Sequence, residues 1–150
     1  MQEALTFVPF GVAVDEYQHI VYANPELTPK QRTAEWKKLE EKYMPWREYD
    51  DIDFFAKGGW WYHKIHIFLY PFYYINYTLT TMGAMEFKKK MHEDKESAWK
   101  DYLNLCKVGG SLGYKETLKY ANLSLPFEKG SVKRAVSYAE DILLSQIEKI

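Results

Sequence analysis

Residues 60–77 read WWYHKIHIFLYPFYYINY and hold the densest group of side chains able to do chemistry. Measured from His66, Tyr70 lies at +4, Tyr74 at +8 and Tyr77 at +11, with Tyr73 beside them. On a helix such offsets fall on one face, turn over turn. One imidazole and a row of phenols pointing the same way are neutral or cationic hydrogen-bond donors. Donors of that kind can stabilise an oxyanion as it forms on a carbonyl. The same spacing also suits a core in which tyrosines pack their rings and bond their hydroxyl tips. Spacing alone leaves both readings open. Pro71 interrupts the run, and the lost amide frees a carbonyl that must find a partner or line a cleft.

Other groupings are weaker. His63 and His66 are three apart, and Glu16 with His19 forms one Glu-x-x-His. A di-iron bundle needs two such copies and two further carboxylates, so a dinuclear site is not expected. His92-Glu93 opens like H-E-x-x-H, but Glu96 stands where the second histidine belongs. No ligand set is complete, so no metal is expected on this chain alone. Gly109-Gly110-Ser111 follows a helix rather than a strand and reads as a helix stop, not a phosphate loop. No G-x-S-x-G elbow occurs. Cys106, the single cysteine, cannot form an internal disulfide and is expected to be a buried thiol in a reducing compartment.

The elements that must position these residues read as helices throughout. Phe10, Val14, Tyr17 and Val21 predict a buried helix over Pro9–Ala23, ended by Asn24-Pro25. Thr28, Pro29 and Gln31 make a capping box with proline in the first turn. The helix they open carries Trp36, Leu39 and Tyr43 on one stripe and stops at Pro45. Glu48–Asp53 reads as a solvated acidic loop, and Gly58-Gly59 as punctuation. A run from Trp60 is kinked or broken at Pro71 and continues from Phe72 to about Lys90, its first half buried and central. Trp99, Tyr102, Leu103 and Cys106 mark the apolar stripe of a helix over Ser97–Val108. A short helix is expected over Tyr114–Ala121. Ser131 is expected to cap a last one, with Val132, Ala135, Val136, Ala139, Ile142, Leu143 and Ile147 on one face. The fold class is all-α, a helical bundle, with residues 1–150 as a single helical piece.

Composition bounds the partners. Net charge is −1, which leaves no electrostatic footprint for nucleic acid or an anionic membrane. The longest apolar stretch, Ile65–Tyr74, is far short of the ~20 residues of a spanning helix. No basic leader precedes it, so a cytoplasmic location is expected.

The run HIFLYPFYYINYTLT, His66 to Thr80, resembles the C-terminal signature of oligoendopeptidase F-type enzymes, a branch of the thimet-oligopeptidase-like zinc metallopeptidases. That branch carries His-Ile-Phe-x-x-Pro-Phe-Tyr-Tyr-Ile-Asp-Tyr; here Asn76 stands in place of the Asp. Phe7 to Pro29 is similar to the family's stretch after its metal site. The EKYMPWREYDD, DYLNLCKVGGS and LPFEKGSV segments also match, in the family's order and spacing.

The resemblance implies the C-terminal part of a zincin-like catalytic domain around a deep cleft for short peptides. It implies zinc held by an H-E-x-x-H helix and a downstream Glu, both before the region covered here. His66 takes the place of the substrate-binding histidine, and Tyr74 and Tyr77 those of the transition-state tyrosines. Tyr73 matches the adjacent signature tyrosine. Tyr70 sits at a variable position and is carried over as a substrate contact only loosely. The expected function is therefore to supply substrate-binding and oxyanion-stabilising groups to a zinc oligoendopeptidase whose N-terminal part lies elsewhere. The isolated chain is expected to be inactive. The alternative is a non-catalytic remnant or subunit with a binding or structural role. Apolar surface left uncovered is expected to drive self-association.

Overall fold

The structure is a computed structural model and describes residues 2–147. Among these it contains eight α-helices and one 3₁₀ turn, with no strand. The chain divides into two compact units, Glu3–Thr78 and Leu79–Ile150, the latter also taking in Met1–Gln2.

The unit Glu3–Thr78 is built on α1, Gln2–Ala23. This helix begins well before Pro9, which lies inside it. A proline costs one amide bond there, and the packing of Val8 and Phe10 on either side carries the helix through. Helix α2, Pro29–Tyr43, starts as the sequence predicts. The Thr28 hydroxyl accepts from the Gln31 amide while the Gln31 side chain accepts from the Thr28 amide. The short α3, Asp53–Ala56, leads to Gly58 at φ 94 and a 3₁₀ turn over Gly59–His63. Phe10, Val14 and Tyr17 of α1 meet Trp36 and Leu39 of α2, with Trp61, Ile67 and Tyr74, in one aromatic-rich core.

The run from Trp60 is not one kinked helix. After the 3₁₀ turn, α4 covers only Ile65–Leu69, and α5 begins at Ile75 and runs to Glu93. Between them Phe72 takes a left-handed φ of 59. The proline thus ends one helix, and the next can start only after the chain has turned. One face of α5 is buried through Thr78, Met82 and Met85, while Tyr77 on its first turn is 40% exposed.

In the unit Leu79–Ile150, α6 spans Lys95–Val108, capped by Asp94, whose carboxylate accepts from the Ser97 amide. Its orientation differs from the sequence reading. Trp99, Tyr102, Leu103 and Cys106 are exposed, and Ala98, Asp101 and Val108 face inward. The cause is polar: Asp101 accepts from Lys90 Nζ at 2.6 Å and from Asn122 Nδ2 at 2.7 Å, which turns that side toward α5. Cys106 is therefore not a buried thiol. Helix α7 covers Tyr114–Tyr120 and α8 Ser131–Ile147. Ser131 is the first helical residue rather than a cap, and its hydroxyl donates to the Pro126 carbonyl at 2.6 Å. Ala135 and Ala139 are buried on α8, while Val132 and Ile147 are exposed. No helix among the described residues is long and apolar enough to cross a membrane.

Candidate functional site

The site lies within Glu3–Thr78, where α4, the turn after it and the start of α5 meet α1. His66 on α4 is the hub. Its ring centroid lies 5.0 Å from that of Tyr74, 5.7 Å from Tyr77, 6.2 Å from Tyr70 and 6.4 Å from Tyr73, the last ring nearly parallel to it. Tyr77 in turn meets Tyr73 at 5.5 Å and Tyr74 at 5.3 Å. All five residues singled out from the sequence are thus brought together. They are brought together across a turn, however, and not along one helix face.

The members differ in exposure. Tyr74 is 6% exposed and anchored from behind by Phe7 and Phe10 of α1, at 6.0 and 5.8 Å. Tyr70, Tyr73 and Tyr77 are each open to solvent. Burial, then the nearby Tyr77 phenol, pushes the Tyr74 hydroxyl above the ordinary phenol range. Partial desolvation, then the neighbouring Tyr73, does the same for Tyr77. Both keep their protons at neutral pH and are donors. The His66 Nδ1 is buried with no hydrogen-bond partner among the described residues.

Several positioning residues escaped the sequence reading. Gln18 of α1 is fully buried, and its Oε1 accepts from the Phe72 amide at 2.8 Å. A signal was available, since Gln18 is a polar residue on the stripe that carries Val14 and Val21. Gly11 lies so close to α5 that an added Cβ would stand 1.8 Å from Thr78 Oγ1. Lys64 places its ammonium 5.3 Å from the Tyr74 ring centroid and 4.9 Å from that of Phe10. Burial, then Arg47, lowers its pKa.

The metal-like spacings come apart. His63 packs on Phe55 and Trp60. Glu16 is bound to Lys42 and Tyr43, while His19 pairs with Asp15. One imidazole among phenols is a poor zinc shell, and no group of three or more His, Cys, Asp or Glu among the described residues could hold a metal.

No protein-family profile and no curated protein matches the chain. Solved structures do. A chain assigned as an oligoendopeptidase F is 48% identical with a TM-score of 0.90, over 95% of this chain and 25% of its own. PZ peptidase A, solved with an inhibitor, is 47% identical with a TM-score of 0.90 over the same shares. A further chain assigned as an oligoendopeptidase F, from Bacillus anthracis, is 40% identical with a TM-score of 0.75, over 95% of this chain and 22% of its own. The chain spans about a quarter of the length of these structures, corresponding to their C-terminal part. With that much identity across nearly all of its length, and an all-helical fold to match, this chain corresponds to the C-terminal part of oligoendopeptidase F chains.

Proposed function

We propose that this stretch forms one wall of the peptide cleft of an oligoendopeptidase, where His66, Tyr74 and Tyr77 hold the scissile carbonyl of a short peptide. The observation that carries this is the convergence of one imidazole and protonated phenols around a partly open surface. A peptide carbonyl gains negative charge as it is attacked, and fixed neutral donors stabilise that charge more than they stabilise the ground state. Tyr77 is the exposed donor and Tyr74 the anchored one. Tyr73 and Tyr70 flank them as contacts for neighbouring parts of the peptide. His66 Nδ1 has no hydrogen-bond partner among the described residues, which leaves the ring to be oriented by substrate or by other polypeptide.

The H-E-x-x-H motif does not occur in these residues. In this reading the zinc that polarises the carbonyl and the base that activates water come from the longer part of the family's chain. This chain alone should then cleave nothing. The test has two arms. The isolated chain is assayed for zinc and for hydrolysis of a quenched fluorescent oligopeptide, and chelator-sensitive cleavage would overturn the reading. A full-length oligoendopeptidase F carrying this segment is then compared with its Tyr77→Phe variant. Loss of an oxyanion donor typically lowers kcat by about 10²–10³ with a smaller change in KM; an unchanged kcat would refute the role of Tyr77.

A second reading, that of a non-catalytic subunit which binds another polypeptide, is favoured by the outward apolar stripe of α6. Phe87, Tyr102, Leu105 and Leu118 line a cavity of about 320 Å³ within that unit. Co-expression with an N-terminal oligoendopeptidase half separates the readings: recovered cleavage supports the first, and binding without cleavage supports the second.

A further inference from the structure

The polypeptide between α4 and α5 turns on Phe72, whose φ of 59 is rarely adopted by a bulky L-residue. Such a conformation persists only where its surroundings hold it. Pro71 offers no amide. The amides of Tyr70 and Tyr73 are used locally, donating to the carbonyls of His66 and Tyr70 at 2.9 and 3.1 Å. The Phe72 amide reaches instead across 54 residues to Gln18 Oε1. Gln18 is fully buried and uses both ends of its amide. Its Nε2 donates to the Val14 carbonyl at 3.1 Å, which fixes the oxygen toward Phe72. The Phe72 ring rests on His19 and Tyr22, at 4.9 and 5.3 Å, so α1 grips the residue by backbone and side chain together.

The ring cluster straddles this residue. His66 comes before it, and Tyr73, Tyr74 and Tyr77 come after it. A change in one backbone angle at Phe72 swings everything that follows relative to His66.

We infer that Gln18 is the positioning residue of the cluster, setting the distance between His66 and the phenols of Tyr74 and Tyr77 by holding Phe72 left-handed. Its importance for peptide chemistry rests on the reading above, but its test uses no cleavage. Amide exchange in the unaltered chain comes first. The Phe72 amide should exchange about tenfold more slowly than in Gln18→Met, the factor expected from one net hydrogen bond. Exchange in the unaltered chain as fast as from an open turn would refute the tie without any variant. Proton Overhauser contacts between the His66 and Tyr77 rings come second. They should weaken in Gln18→Met while helicity is retained, and return in part when Phe72→Gly is added, because glycine adopts positive φ unaided. Two results would overturn the inference: contacts undiminished in Gln18→Met, or an equal loss in Val14→Ala, which thins the same core but leaves the tie. If the contacts respond as stated and the Tyr77→Phe enzyme is unimpaired, the positioning stands and only the peptidase role falls.

Discussion

Tyr74 and Tyr77 hold their protons past the pH at which ordinary phenols lose them, because the charged form is poorly solvated where they sit. A donor is lost only when its proton is lost. The alkaline fall in activity of a full-length enzyme should therefore lie above about pH 10, the ordinary phenol value. Ultraviolet phenolate titration of the unaltered chain against Tyr74→Phe and Tyr77→Phe would check this; normal titration of both residues would contradict it. Tyr17 makes a related case. It is fully buried, its hydroxyl has no hydrogen-bond partner among the described residues, and burial raises its pKa strongly. Its proton is bound more tightly in the folded state than in the unfolded one. Its contribution to stability is complete below about pH 10 and falls as pH rises beyond it. Tyr17→Phe removes an unsatisfied buried hydroxyl, so it should leave stability equal or higher by about 1 kcal/mol and lessen alkaline unfolding. Urea melts at neutral and alkaline pH would show it. At this scale type and spacing single out His66, Tyr70, Tyr73, Tyr74 and Tyr77 as a group, and the resemblance alone picks His66, Tyr74 and Tyr77 from among them. The sequence does not name Gln18 or Lys64 as their neighbours, since those contacts join residues far apart in the chain or reach around a turn.

At the scale of elements, local signals read well and tertiary ones do not. The Thr28–Gln31 box lies within four residues, and the helix begins where it says. Thr28→Ala should cost about 1 kcal/mol in a chemical melt. Apolar spacing misplaces the inward face of α6, because Asp101 with Lys90 and Asn122 decides which side turns inward. The break at Pro71 was legible, but the delay of α5 to Ile75 was not, because it depends on an acceptor supplied by α1. Close approach of α1 to α5 was likewise hidden in an ordinary glycine. Gly11→Ala should push Thr78 away and cost about 1–3 kcal/mol, as overpacking does. Adding Thr78→Ala removes the clashing oxygen and should recover part of the loss. Additive losses in the double variant would show that the two residues do not press on each other.

At the scale of the whole molecule, large apolar side chains stand open on both units, among them Phe54, Leu69 and Tyr70 on one and Trp99, Leu103 and Phe127 on the other. Surfaces of that kind seek cover. The chain alone should form dimers or larger species by light scattering at moderate concentration, and a clean monomer would argue against it. The grip of α1 on the turn at Phe72 carries a different lesson about where the arrangement of the rings resides. A synthetic peptide of residues 59–80 would own every member of the ring cluster, yet nothing in it could supply Phe7, Phe10 or Gln18. Dissolved alone, it should show the right letters and no preferred geometry. What a chemist would need to borrow from this protein is not the tyrosine-rich motif but the distant helix that keeps it in shape.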